Sequence, residues 1–197
     1  MVVDLFSQPL YVSDIMVSVD EYSTIVEHQN FTIKDSNGNY HSSNNFILDK
    51  LPKLKQEIID KLNYYRESIL GSNTNLQLTQ SWINYNPTGS SHHVHNHPNS
   101  IVSGVVYLTP DPAKLMVSSP LYKPFGDFLT DIKTKTKYND TKTLIDIKQY
   151  NIVIFPSSLY HGVGVNAREE TRISLSFNSF YSGILGSKDR LTYLEIN

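Results

Sequence analysis

Apolar positions recur every three or four residues over one stretch of this chain, and every second residue over most of the sequence beyond it. Leu51, Leu54, Ile58, Leu62, Tyr65 and Ile69 form the first pattern, with Lys, Gln, Glu and Asp between them. That spacing predicts an amphipathic helix with one buried stripe, and Gly71 is placed to end it. Beyond Gly71 the period becomes two. LQLTQSWINY (76–85), IVSGVVYLT (101–109), LIDIKQYNIVIF (144–155) and TRISLSFNSFY (171–181) are rich in β-branched and aromatic residues and predict strands. Turn-like stretches separate them at 86–92, 109–113, 118–127, 137–142 and 166–170. Upstream, FTIKDSNGNY alternates around Asn37-Gly38 and reads as a small hairpin. Residues 5–30 read as strand and helix pieces.

Many short strands after one covering helix point to a mainly β domain: a sandwich, jelly roll or barrel with flanking helices. No repeat, low-complexity tract or linker divides the chain, so residues 1–197 are expected to form one domain. Within it, 1–71 would give strand and helix support and 76–181 the β core. The last strand can be read by face. Arg172, Ser174, Ser176 and Asn178 point one way, and Ile173, Leu175 and Phe177 the other. The apolar side should pack on another layer, while the side bearing the arginine should line a cavity or meet water.

Composition narrows the function. An aromatic content of 11%, with 13 tyrosines, argues against a disordered chain. A net charge of −2 gives no general attraction to nucleic acid or anionic membranes. No stretch reaches the roughly 18 apolar residues that span a bilayer, and MVVDLFSQPLYVSD lacks the basic start of a secretory signal. With no cysteine, the chain has no disulfide, thiolate metal site or cysteine nucleophile, and a cytoplasmic setting is the expectation. The Lys-rich segment 131–142 reads as a solvated loop or a cover near a site, and Trp82 as core.

Histidine is the residue type that stands out. Four of the 7 histidines (His92, His93, His95 and His97) fall within six residues. In an extended strand His95 and His97 would project from one face and could reach one metal ion. A third ligand must come from elsewhere, and His161, at the end of an apolar strand in IVIFPSSLYHGV, has the most suggestive setting. A solvated loop explains the cluster equally well at this level. Arg172 could likewise form a surface salt bridge with Glu169 or Glu170.

Four motifs in order add to this: Trp82-Ile83-Asn84, His95-Asn96-His97-Pro98, Ser103-Gly104-Val105-Val106-Tyr107, and Phe155-Pro156-Ser157-Ser158-Leu159-Tyr160-His161. An arginine follows that last histidine by eleven positions, in RISLSFN. Together they resemble the Fe(II)- and 2-oxoglutarate-dependent oxygenases, most of all the phage and bacterial members related to prolyl hydroxylases. The resemblance covers about residues 76–180. It implies a double-stranded β-helix (a cupin-like jelly roll) and a dioxygenase. Such an enzyme uses Fe(II), 2-oxoglutarate and O2 to hydroxylate a peptidyl, prolyl-like or small-molecule substrate, releasing succinate and CO2.

Carried over residue by residue, the resemblance makes His95 and His161 metal ligands. It places His97 where the family normally has a carboxylate, a departure that leaves the site one charge unit more positive. His93 with His95 is the alternative register; the proline that follows His97 in the resembling sequences favours His95 with His97. Arg172 matches the arginine that pairs with the far carboxylate of 2-oxoglutarate, with Ser174 beside it. Tyr107 and Asn84 match further residues around that co-substrate. Two other classes remain: a cupin-like enzyme with a three-histidine metal centre that does not use 2-oxoglutarate, and a non-enzymatic metal-binding jelly roll. An exposed barrel edge could pair two copies into a homodimer.

Overall fold

The computed structural model describes residues 1–2, 7–28, 32–36, 38–110, 114–119, 126 and 131–196. Strand β1 (Tyr11–Asp14) and helix α1 (Val19–Glu27) come first, followed by strands β2 (Thr32–Lys34) and β3 (Tyr40–Ser42). The long helix α2 (Pro52–Tyr64) then leads into strand β4 (Asn75–Asn86). Short strands β5 (His92–His95), β6 (Val102–Tyr107), β7 (Leu115–Ser118) and β8 (Lys142–Ile145) follow. The chain ends with β9 (Asn151–Pro156), β10 (Tyr160–Val163), β11 (Arg172–Leu185) and β12 (Leu194–Ile196).

These strands form two antiparallel sheets. The larger runs β1-β9-β6-β11-β4-β3-β2, with β12 on the far end of β11, and the smaller runs β5-β10-β7-β8. This is the jelly-roll arrangement. Strand β11 is the spine: it pairs along β4 on one side and β6 on the other, with a bulge after Asn178.

Each face of the larger sheet has its own partner. Ile83, Tyr85, Val106, Ile152, Ile154 and Leu175 join Leu54, Ile58 and Leu62 of α2 in one core. Gly104 lies on that face because Phe177 occupies the space of a side chain there; a Cβ would sit 2.3 Å from its Cζ. The opposite face is split. Its β6 and β9 half carries Val105, Tyr107, Val153 and Phe155, which meet Leu115 and Leu159 near the smaller sheet in a second core. Its β4 and β11 half carries polar residues. The site lies where these halves meet.

The helix departs from its predicted pattern at one end. After Tyr64 the backbone widens into a π turn over Tyr65–Ile69, closed by Leu70 N–H donating to Tyr65 O at 2.9 Å. The wider turn rotates the stripe away from the core, so Tyr65 is fully buried whereas Ile69 is exposed. Glu21 of α1 takes the place of an N-cap for α2, accepting from Lys53 N–H at 2.8 Å and Leu54 N–H at 3.2 Å.

Residues 144–155 do not form the single strand that their apolar content predicts. A turn over Asp146–Tyr150 divides them, and Tyr150 adopts a positive φ of 61°. The first part becomes β8 of the smaller sheet and the second β9 of the larger. An apolar run can thus serve two sheets when a turn lies inside it, and periodicity alone does not locate the turn. The upstream hairpin is present as the β2–β3 pair, with Gly38 at φ 83°; Asn37 lies outside the described residues. Parts of the turn stretches at 109–113 and 118–127 also lie outside them. Segment 131–141 is exposed for most of its length. Among the described residues, no helix is long and apolar enough to cross a membrane.

Candidate metal centre and co-substrate cavity

The fold brings together three imidazoles that are far apart in the sequence, His95 and His97 from one segment and His161 from another. Strand β10 lies between β5 and β7, with His161 opposite His95. His97 lies just beyond the end of β5, so strand alternation does not aim it. A backbone hydrogen bond does: His97 N–H donates to Ser157 O at 2.9 Å, tying it to the turn that precedes His161. Ring nitrogens of His95, His97 and His161 all lie within 4.8 Å of one another. His93, the alternative partner, is exposed and outside this group.

Tautomers follow from the hydrogen bonds. His161 Nδ1 faces Leu159 O at 3.0 Å and His95 Nδ1 faces His93 O at 2.8 Å, so each Nδ1 carries the proton and donates it. Both rings are thereby oriented with Nε2 as the lone-pair atom. His97 Nε2 and His161 Nε2 are 3.3 Å apart. In the metal-free site His97 must donate there, because two lone pairs would repel. A cation in that proton's place would satisfy both nitrogens. Bonds of about 2.1 Å at octahedral or tetrahedral angles separate neighbouring donor atoms by roughly 3.0–3.4 Å, which matches this contact. That contact, and the chemistry of three imidazole donors, fit a divalent first-row metal.

Burial keeps these rings neutral. It lowers His97 to about 3, helped by His161, His95 and His92, and lowers His161 to about 4 against the raising effect of its bond to Leu159. His92 also falls to about 4, by burial and then by His95 and His93, and burial lowers His95. Unfolding releases these rings to their ordinary value of 6.5, so below it the unfolded chain binds more protons. Stability should be full above that value and decline as pH falls toward 4. We expect the melting temperature of metal-stripped protein to drop by roughly 5–10 °C from pH 7 to pH 5. A flat melting profile over that interval would contradict the assignment of neutral rings.

Around the imidazoles, every residue singled out for the co-substrate lines the same cavity: Arg172, Ser174, Tyr107 and Asn84. Arg172 is 3% exposed, which removes the surface salt-bridge reading, and Glu170 pairs with Arg168 at 2.8 Å. One Arg172 hydrogen bond runs from Nη1 to Gly164 O at 3.2 Å. Ser174 lies two residues along β11, opposite Asn84 of β4 and Tyr107 of β6. Asn84 is held on both sides, accepting from Trp82 Nε1–H at 3.0 Å and donating to Ser176 Oγ at 2.9 Å.

Trp82 is thus half-buried cavity wall rather than core. Its position on β4, in phase with Asn84 and Asn86, is the signal that points there. Asn86, Ser176 and His92 also line the cavity, and the same two-residue phase identifies the first two.

Gly162 lets β5 and β10 come close. A Cβ there would lie 2.9 Å from His92 O and 3.2 Å from His93 C and O, where the β5 register slips by one residue. Gly162→Ala should push β5, and His95 with it, off His161. The expected loss of metal affinity is about 10- to 100-fold, as for other changes in the support of ligands, measured by anaerobic titration calorimetry.

Similarity to known proteins gives the family and the fold. A family model described as "Putative 2OG-Fe(II) oxygenase" matches residues 80–178, just over half of the chain. The chain belongs to this oxygenase family. Solved structures share the fold. A 2OG-Fe(II) oxygenase family oxidoreductase from Burkholderia pseudomallei is 13% identical, with TM-score 0.56, over 86% of this chain and 83% of that one. A Pseudomonas putida prolyl-4-hydroxylase is 13% identical with TM-score 0.58, over 88% and 94%. HygX from Streptomyces hygroscopicus, solved with nickel and 2-oxoglutarate, is 10% identical with TM-score 0.56, over 87% and 82%. No curated protein matches the sequence.

Proposed function

We propose that this oxygenase holds Fe(II) through His95, His97 and His161, and binds 2-oxoglutarate with its far carboxylate on Arg172 and Ser174. The observation that carries this reading is the convergence of three neutral imidazoles and one buried guanidinium in a single cavity. Arg172 is the one formally charged side chain among the described residues lining it, so the cavity suits an anionic ligand. Tyr107 and Asn84 flank that ligand. Leu159 O and His93 O hold the protons of His161 and His95 away from the metal side. Val105, Leu115 and Val163 keep water from the apolar side. When bound, the metal and co-substrate supply the oxidation chemistry, releasing succinate and CO2. The reaction is hydroxylation of a peptidyl, prolyl-like or small-molecule substrate, with the whole chain acting as one domain and residues 1–71 as support.

Succinate formation is the test. It should require both Fe(II) and 2-oxoglutarate and should proceed slowly even without primary substrate. A folded, metal-loaded protein that neither binds 2-oxoglutarate nor forms succinate would overturn the proposal. His97 in place of the usual carboxylate specifically favours a second reading, a three-histidine metalloenzyme that does not use 2-oxoglutarate. Arg172 discriminates between the two.

A further inference from the structure

A second cleft opens beside the metal cavity and shares Trp82, Asn84 and His92 with it. Its other walls are Asp35, Tyr40, His41 and Asn45, from the β2–β3 hairpin and the segment after it, together with Gln80 of β4. The hairpin is fastened in place. Asp35 accepts from Asn39 N–H at 3.0 Å and from Asn39 Nδ2 at 3.3 Å. Asn39 is 2% exposed; its Nδ2 also donates to Ser91 O at 2.9 Å, and its Oδ1 accepts from Asn86. The carboxylate of Asp35 is therefore held at a fixed distance from the wall that the two cavities share.

The two cavities differ in sign. Arg172 is the formal charge on the metal side, whereas Asp35 is the formal charge among the described residues lining the second cleft. Amide, phenol and indole groups supply most of the remaining lining. An anion entering here would face Asp35, and an apolar group would strip water from the amides without replacing their hydrogen bonds. A cation meets acceptors and aromatic faces. Tyr40 and Trp82 supply those faces.

We propose that this cleft is the primary-substrate subsite and takes a positively charged, amine- or guanidine-bearing group, its cation at Asp35 and its aliphatic stem against Trp82. Its role as a substrate subsite rests on the oxygenase reading above; its preference for a cation does not. Opposite charges then sort the two ligands, with the dicarboxylate drawn to Arg172 and the basic substrate to Asp35.

Trp82 is the single tryptophan of the chain, so intrinsic fluorescence reports on the shared wall. The purified protein is titrated with Nα-acetyl-lysine amide, the neutral Nα-acetyl-norleucine amide and the anionic Nα-acetyl-glutamate amide. The lysine probe should bind at least 10-fold more tightly than the other two. Asp35→Asn should abolish that ranking. Gln80→Lys should abolish it from β4, outside the hairpin that Asp35 helps to fasten. Equal binding of the three probes, or an unchanged ranking in either folded variant, would overturn the inference. Succinate formation without added substrate is followed in parallel. Succinate without lysine preference removes the cation subsite and leaves the oxygenase reading intact. Lysine preference without succinate keeps the cation site and removes the oxygenase reading.

Discussion

Arg172→Ala is expected to raise the 2-oxoglutarate concentration for half-maximal succinate formation by about 100-fold, with metal affinity little changed. Two charge-assisted hydrogen bonds to a carboxylate, at about 1.5 kcal/mol each, give a loss of that order. The position supports the assignment. Arg172 begins β11 opposite Asn86, is buried, and shares its face with Ser174 and Ser176. Arg172→Lys should recover only part of the loss, because an ammonium cannot offer the paired donors of a guanidinium. Succinate formation and isothermal titration with 2-oxoglutarate measure the effect. Unchanged affinity and activity in Arg172→Ala would transfer the protein to the three-histidine reading, in which the arginine has only a packing role.

That residue also shows what a sequence can and cannot reveal. The alternation of RISLSFN places Arg172, Ser174 and Ser176 on one face and Ile173, Leu175 and Phe177 on the other. The structure puts the first set in the cavity and the second in the helix-side core. A two-residue period states a face without reference to the partner, so the face is legible. The partner is not. Short strands β5, β7 and β10 hold only four residues each, too few for a period to emerge, yet they carry His95 and His161. The aim of His97 rests on a backbone bond to Ser157, sixty positions away, which no local pattern encodes. Trp82 departs from its expected place for a related reason: bulk and apolarity suggest core, whereas the shared phase with Asn84 and Asn86 puts the indole in the cavity wall. The second cleft is invisible in the sequence, because the hairpin side chains that shape it become neighbours of β4 only through folding.

The largest effect is expected at the metal. His161→Ala should lower Fe(II) affinity by about 1,000-fold or more. It removes the most buried of the three imidazoles, and the His95 and His97 segments alone cannot enclose an ion. His97→Ala should cost less, because its segment is the more open one. The informative substitution is His97→Asp, which restores the carboxylate that the family resemblance predicts at this position. Three neutral imidazoles leave the full charge of a divalent ion in the cavity beside Arg172, whereas a carboxylate cancels one unit. Nitrogen donors also favour nickel, copper and zinc, while oxygen donors suit manganese and iron better. His97→Asp should therefore retain Fe(II) within about 10-fold of the parent and shift the preference from Ni(II) toward Mn(II). Competition titrations with the two metals measure the shift. If His97 contributes no donor atom, the preference will not move, and the metal then rests on His95 and His161 with a ligand from outside the triad. If the preference moves while succinate formation survives, the all-imidazole site is a variation in charge on the same chemistry. Loss of succinate formation with metal still bound would mean that the extra positive charge is required, and that this chain has adapted its oxidation step to three histidines.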